Sequence, residues 1–373
     1  MENKQQFNHN PIFTDKQPMN GRLLSLDILR GITVAGMILV NNGYGDSFSA
    51  LVHSKWNGLT PCDLVFPFFL FIMGASMYFS FSKQGFKPNR SLTFKIIRRF
   101  LILFSIGLFI NWFELALKGK PLDFGYVRIY GVMQRIALSY LFVSALVLFV
   151  NHKWLIHIAV VLLLGYGAIL WLGNGYAEDA SNVIARIDNW LFGATHLYKK
   201  SPIDPEGLLS TVPSVAHVLI GFSFGKLVKR LVSFPDKTKY LLLLGTVLMA
   251  MGLLVSIVLP LNKRVWSPSY VLVTCGLAAI LWGMLVWLVD WKKQTRWITF
   301  FLAFGVNPLV IYVLSELLAI ALGHVGVSQF VYNAIHSCVT HLQFASLFYA
   351  LYFVLLNYLF AFLLYKRRII IKL

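Results

Sequence analysis

The sequence predicts an all-α membrane protein of about ten transmembrane helices. Of its 373 residues, 58% are hydrophobic and 13% are charged, and the mean hydropathy is +0.69. A soluble domain needs more polar surface than this composition provides. Apolar runs of roughly 20 residues, long enough to cross the hydrocarbon core of a bilayer, recur along the chain. Transmembrane helices are predicted at 25–44, 64–82, 96–114, 130–150, 154–172, 212–230, 239–260, 268–289, 297–321 and 345–365.

The basic residues predict the orientation of these helices. Although the net charge is +18, the lysines and arginines lie at the ends of apolar runs instead of forming one basic surface, which argues against nucleic-acid binding. With the N-terminus inside, 22 of the 33 basic residues fall on the cytoplasmic side and 9 on the outside. Because cytoplasmic loops carry the excess of Lys and Arg, both chain ends are predicted to be cytoplasmic.

The domain organisation is simple. Residues 1–21 are polar and are expected to be a disordered cytoplasmic lead-in, since they lack the apolar core of a signal peptide. Residues 22–373 are predicted to form a single transmembrane domain. The three cysteines, Cys62, Cys275 and Cys338, lack ligand spacing and leave one thiol unpaired, so no metal site or disulfide framework is expected.

The first outside loop, 45–63, holds the strongest candidate for chemistry. Imidazole titrates near neutrality, so His53 could accept a proton from an ammonium or hydroxyl group, or take an acyl group itself. An ordinary surface histidine is the alternative. Thr60, Pro61 and Asp63 form a helix-start pattern, in which Asp63 closes a capping box. Asp63 therefore has a structural and a functional interpretation, and both stay open.

Charged residues inside the predicted spans are costly unless they have a partner. Asp27 and Arg30 are three residues apart and share a helix face, so they could form an ion pair, or Arg30 could meet a phosphate. Arg135 has no acidic residue at helical spacing, which favours a functional role. Residues 262–266 could form an interfacial aromatic belt or the lip of a substrate site. These patterns predict a polar site near the outer face but leave an enzyme and a transporter as alternatives.

Several sequence blocks, in order, resemble the heparan-α-glucosaminide N-acetyltransferase family. They are residues 25–31, 37–41, 53–60, 63–68, 131–137, 204–211, 262–266 and 305–308. The resemblance implies a multi-pass acetyltransferase of the bacterial inner membrane. It would move an acetyl group from cytoplasmic acetyl-CoA to the amine of glucosamine, or of a terminal glucosaminide, on the periplasmic side. Free glucosamine or a cell-wall fragment is a more natural bacterial acceptor than heparan sulfate.

The resemblance also implies the roles of individual residues. His53 matches the active-site histidine of the family, and Asn41 and Asp63 match its accompanying polar residues. His53 would deprotonate the sugar ammonium, Asn41 would hold the oxyanion and Asp63 would orient the imidazole. An acetyl-His53 intermediate is the second alternative.

Two further sets of residues are expected to bind the substrates. Guanidinium groups near the inner ends of spans suit the phosphates of acetyl-CoA, and the expected set is Arg30, Arg98, Arg99, Gln134 and Arg135. The outer loops would gather the amino sugar through Trp56, Asn57, Asp204, Glu206, Asn262, Lys263 and Trp266. A homodimer stays open as the oligomeric state. The rival function is a secondary transporter for an amino sugar, which usually shows internal repeats or broken helices.

Overall fold

The computed structural model describes residues 23–198 and 203–371, and every regular element within these ranges is helical. Within these ranges, nine helices are long and apolar enough to cross a membrane, and a bent pair of shorter helices brings the possible number of crossings to ten. This confirms the all-α membrane fold. The lead-in 1–21 lies outside the described residues.

The described residues form thirteen α-helices. Their bounds are α1 Leu24–Asn41, α2 Val65–Ser82, α3 Arg90–Leu117, α4 Val132–Phe149, α5 Leu155–Leu172, α6 Val183–Phe192, α7 Thr211–Arg230, α8 Phe234–Val255, α9 Pro268–Leu285, α10 Ile298–Val306, α11 Pro308–His324, α12 Val327–Cys338 and α13 Leu342–Lys366. A 3₁₀ turn, Pro61–Leu64, precedes α2, and a π-helical segment, Val286–Trp291, extends α9. The short amphipathic helices α6 and α12 lie in loops on the outer side. We call the two faces inner and outer according to the predicted orientation.

The ninth predicted span, 297–321, is not continuous. It divides into α10 and α11, whose axes meet at 86°. Proline lacks an N–H group and disfavours helical geometry in the residue before it, and Asn307 accordingly leaves the helix at φ −125° and ψ 54°. The Asn307 side chain then binds the C-terminal segment, donating to the Ile369 carbonyl and accepting from the Ile371 amide, both at 2.8 Å.

Close backbone contacts fix the helices that carry the site. A Cβ on Gly31 of α1 would lie 1.8 Å from the Phe301 carbonyl oxygen of α10. A Cβ on Gly74 of α2 would lie 2.1 Å from the Val218 carbonyl oxygen of α7. Small residues allow such approach between membrane helices, where van der Waals packing drives association. Helices α1 and α2 are therefore held firmly at the centre of the bundle.

Candidate functional site

His53 and Asp63 form the centre of a polar cluster on the outer face. His53 Nδ1 lies 2.8 Å from Asp63 Oδ1; the His53 side chain is 48% exposed and that of Asp63 is fully buried. The second oxygen, Oδ2, accepts hydrogen bonds from the backbone amides of Ser54 and Thr60, both at 3.1 Å. The capping box between Thr60 and Asp63 is present, which confirms that prediction. One carboxylate thus caps the helix and holds the imidazole, and a role of Asp63 in catalysis stays a prediction.

The hydrogen bonds of Asp63 determine which His53 nitrogen carries a proton. A carboxylate only accepts, so neutral His53 donates through Nδ1 and keeps Nε2 free of a proton. This tautomer is inferred from the network. The Cys62 sulfur lies 3.0 Å from Nδ1, a contact that the sequence did not indicate. The basic nitrogen of His53 is therefore Nε2, which a general base requires, and Lys263 Nζ lies 3.2 Å from it.

Lys263 joins this cluster from the loop between α8 and α9. Its Nζ lies 3.0 Å from His53 Nδ1, 3.2 Å from His53 Nε2 and 3.6 Å from Asp63 Oδ1. Burial lowers the pKa of Lys263, and the charge of Asp63 offsets only part of this effect. Lys263 was predicted to bind the sugar, and the structure places it against His53 itself.

The two outer loops that meet at this cluster are tied together by their backbones and amides. Gly58 donates its amide hydrogen to the Leu261 carbonyl at 2.8 Å, and Asn262 Nδ2 donates to Asn57 Oδ1 at 3.1 Å. Asn262 is fully buried. Trp56 donates through Nε1 to the Tyr176 carbonyl at 2.9 Å. These contacts fix the loop that carries His53, and sugar binding by Trp56, Asn57 and Asn262 stays a prediction.

Trp266 does not lie where the sequence suggested. Its side chain is almost fully buried and packs against Phe66 and Tyr270. A buried indole does not belong to an interfacial belt, so that expectation is wrong, and sugar binding by Trp266 stays a prediction. The hydrophobic effect and the aromatic contacts place it in the core instead.

Arg135 and Gln134 lie at the outer end of the bundle, which corrects their expected position near the inner ends of spans. Helix α4 runs from the outer to the inner face, and both residues are in its first turn. The Arg135 guanidinium donates to Ser210 Oγ and lies 4.7 Å from the centroid of the Trp266 ring. Gln134 donates to the Phe104 carbonyl at 3.4 Å.

A second outer cluster forms around Arg128. Its Nε donates to Asp204 Oδ2 at 3.1 Å and its Nη2 to Glu206 Oε2 at 2.7 Å. Burial alone would raise the pKa of Glu206, but the charges of Arg128 and Arg135 outweigh it and lower that pKa, and Lys263 adds to the effect. Glu206 therefore lies within electrostatic reach of the His53 cluster. Asp204 is buried, so a direct contact of this carboxylate with a sugar stays a prediction.

A cavity of about 610 Å³ opens on the inner side. Its basic lining residues are Arg30, Lys95, Arg98 and Arg99. Along α2 the lining residues of the cavity run from Phe81 to Phe69, which is about 18 Å at 1.5 Å per residue. Phe69 is about 6 Å along α2 from Val65, the first residue of this helix, and Asp63 lies in the 3₁₀ turn just before it. The cavity thus leads from the inner face toward the His53 cluster.

The basic groups of this cavity are poorly neutralised. Arg30 forms the predicted ion pair with Asp27 at 3.1 Å and donates to Ser76 Oγ at 2.7 Å, so it is both paired and part of the lining. Across 23–198 and 203–371, no acidic side chain pairs with Lys95, Arg98 or Arg99. The buried Nε of Arg99 has no hydrogen-bond partner there either. Sequence analysis anticipated Arg30, Arg98 and Arg99 but not Lys95.

Asn41 has a partner that sequence analysis missed. Its Nδ2 donates to Glu316 Oε1 of α11 at 3.2 Å. The sequence did indicate Glu316 as a candidate, because it is a lone acidic residue within an apolar run. Such residues in membrane helices are commonly functional.

Comparison with known proteins agrees with this geometry. Residues 22–252 match the family described as heparan-α-glucosaminide N-acetyltransferase, catalytic. The mouse protein named heparan-α-glucosaminide N-acetyltransferase is 30% identical over 375 aligned positions, covering 83% of this chain and 56% of the mouse protein. The human protein of that name is 31% identical over 357 positions, covering 79% of this chain and 53% of the human protein. The chain thus spans about half the length of these curated relatives. It belongs to the heparan-α-glucosaminide N-acetyltransferase family.

Proposed function

We propose that this protein transfers an acetyl group from acetyl-CoA, bound from the inner face, to the amine of glucosamine or a terminal glucosaminide at the outer face. The observation that carries the proposal is the basic cavity that extends about 18 Å along α2 from the inner side toward the His53 and Asp63 pair. Family membership supports the same reaction class. We further propose the bacterial cytoplasmic membrane as its location, with both ends of the chain in the cytoplasm.

The inner cavity suits the phosphate-bearing end of acetyl-CoA. Lys95, Arg98 and Arg99 supply positive charge that no carboxylate in the described ranges neutralises. The N-terminus of α11, at Pro308, also borders the cavity, and helix N-termini favour anions. The volume is within the range of roughly 300–1,000 Å³ that ligand pockets occupy. The pantetheine arm would then extend along α2 and carry the thioester toward the outer third of the bundle.

The reaction needs one base and one oxyanion donor. His53 Nε2 takes a proton from the sugar ammonium, and the free amine attacks the carbonyl carbon of the thioester. A C–N bond forms, and the Asn41 amide donates a hydrogen bond to the oxyanion. The C–S bond then breaks, the CoA thiolate receives the proton from His53, and the nitrogen releases its second proton to solvent. Asp63 positions His53 throughout and stabilises the imidazolium.

The rival function is secondary transport of the amino sugar without acyl transfer. The break between α10 and α11 is the observation that favours it, since transporters often place broken helices at their substrate sites. The match to an N-acetyltransferase family, however, favours acyl transfer over transport. An acetyl-His53 intermediate is a variant of the transferase and would use the same residues.

Vesicles containing the purified protein distinguish these functions. We expect radiolabelled acetyl-CoA on the inner side to yield N-acetylated sugar when glucosamine is added outside. His53→Ala and His53→Asn should retain acetyl-CoA binding and lose transfer by a factor of about 100 or more, on the scale of general-base catalysis. His336→Ala, a second histidine on the outer side, is the matched control. Glucosamine uptake without acetyl-CoA, together with normal transfer by the His53 variants, would establish the transporter instead.

A further inference from the structure

Glu316 receives two hydrogen bonds in the outer half of the bundle. Asn41, the last residue of α1, donates to it from Nδ2 at 3.2 Å. The Tyr312 hydroxyl binds the same carboxylate. A carboxylate within a membrane helix is costly and is retained where it has a specific partner. Here the partner is the amide that the proposed mechanism assigns to the oxyanion.

The position of Glu316 on α11 connects this contact with the inner cavity. Leu309, Tyr312 and Glu316 are spaced three and four residues apart and share one helix face. Leu309 lines the cavity, and Glu316 lies about 10 Å further along the helix axis. The helix face that borders the cavity therefore continues to Asn41.

Long-range electrostatic interactions connect the Asn41 and Glu316 pair with the His53 cluster. The charge of Glu206 acts on Tyr312, which binds Glu316. The charge of Lys263 in turn acts on Glu206, and Lys263 contacts His53. A series of electrostatic interactions thus links the Asn41 and Glu316 pair to the outer cluster that contains the base.

We propose that Glu316 is a positioning residue that fixes the orientation of the Asn41 amide for acetyl transfer. An asparagine amide can present either its oxygen or its NH₂ group, and only the NH₂ group stabilises an oxyanion. Because a carboxylate only accepts, Glu316 holds the NH₂ group toward itself and leaves the second N–H available to the reacting carbonyl. The inference rests on the proposed function, since it assigns a task within that reaction.

A double-mutant cycle on the purified full-length protein tests this inference. Glu316→Met removes the acceptor at similar length, and Glu316→Gln keeps an acceptor but allows the opposite amide orientation. We expect kcat to fall about 10- to 100-fold in Glu316→Met, and less in Glu316→Gln, with the KM for acetyl-CoA unchanged, because removing an oxyanion donor outright costs about 100- to 1,000-fold. Glu178→Gln is the matched control, since Glu178 is an exposed outer-side glutamate that pairs with Arg264.

The decisive readout is the behaviour of the combined variant. If Glu316 acts through Asn41, adding Glu316→Met to Asn41→Ala should cause no further loss of kcat. Losses that multiply would overturn the inference, as would an effect of Glu316→Gln confined to the KM for glucosamine, which would indicate direct ammonium binding. If Glu316→Met does not fold, the same cycle with Glu316→Gln decides. A wild-type protein without transfer activity would refute the proposed function and this inference together.

Discussion

His53 Nδ1 lies 2.8 Å from Asp63 Oδ1, while the other oxygen of Asp63 caps the helix that follows. The same carboxylate therefore determines where α2 begins and how the imidazole is oriented. Because Asp63 performs both tasks, the loop that carries His53 cannot shift without breaking the helix cap. Separating the two tasks experimentally requires a substitution that preserves the shape of Asp63.

Asp63→Asn meets this requirement and should reduce kcat by about 100-fold or more. An asparagine NH₂ group at this position would favour the tautomer in which Nδ1 accepts, so the proton moves to Nε2 and the base is lost. Steady-state kinetics should show the KM for acetyl-CoA unchanged. Asp179→Asn, which alters an exposed aspartate bound to Ser181, is the control. Near-normal kcat in Asp63→Asn would mean that Asp63 serves only as a helix cap.

The inner cavity predicts a specific defect when its arginines are removed. Arg98→Ala and Arg99→Ala should each raise the KM for acetyl-CoA by about 10-fold or more, because a hydrogen bond to a charged group contributes about 1.5–3 kcal/mol. Acetyl-pantetheine, which lacks the nucleotide, should be used equally well by these variants and by the unmodified protein. Arg90→Ala is the control, since Arg90 is exposed at the start of α3 and does not line the cavity. Equal defects with both donors would show that the arginines do not bind the nucleotide.

Much of this fold could be predicted because it follows from local patterns. Apolar runs indicated nearly all of the membrane helices, the spacing of Asp27 and Arg30 indicated an ion pair, and Thr60 with Asp63 indicated a capping box. Each pattern involves residues within a few positions of one another. The break at Asn307 was less evident because the hydropathy continues across it, although Pro308 was a visible signal.

The remainder of the site depends on distant contacts. Asn41 and Glu316 are separated by 275 residues, and no local pattern indicates that they meet. Lys263 approaches His53 only because the backbones of the two outer loops are hydrogen-bonded to each other. The predicted position of Arg135 was wrong for a different reason. Its span runs from outside to inside, so its place in the sequence already put it near the outer end.

The orientation can be checked with a thiol that the protein already contains. Cys338 is exposed, whereas Cys62 and Cys275 are buried. Cys338 ends α12 on the predicted outer side, so a membrane-impermeant maleimide should label intact cells, and Cys338→Ser should abolish the labelling. A reporter fused after Leu373 should be cytoplasmic, and one inserted near Ser201 should be outside. Labelling of Cys338 only after cell lysis, with an external reporter after Leu373, would invert the topology.

The buried carboxylate of Asp188 predicts a pH dependence of stability on the outer side. Asp188 Oδ1 accepts the backbone amide of Leu208 at 3.0 Å, which ties α6 to the segment before α7. Its Oδ2 has no hydrogen-bond partner among the described residues and lies where a Cβ on Gly207 would have to fit. Burial raises the pKa of Asp188 from 3.8 to about 6. The folded protein therefore favours the protonated form of this carboxyl group more strongly than the unfolded chain does.

A raised carboxyl pKa gives stability that is fully present below pH 3.8 and is lost as the pH rises through about 6. The full difference is on the order of 3 kcal/mol, at 1.36 kcal/mol per pKa unit. Asp188→Asn keeps the acceptor for Leu208 and cannot ionise, so its stability relative to the wild type should increase between pH 4 and pH 7. Thermal unfolding of both proteins in detergent, measured across this range, tests the expectation, and other titrating groups cancel in the comparison. A difference in melting temperature that stays constant from pH 4 to pH 7 would show that Asp188 titrates in the folded protein as it does in the unfolded chain.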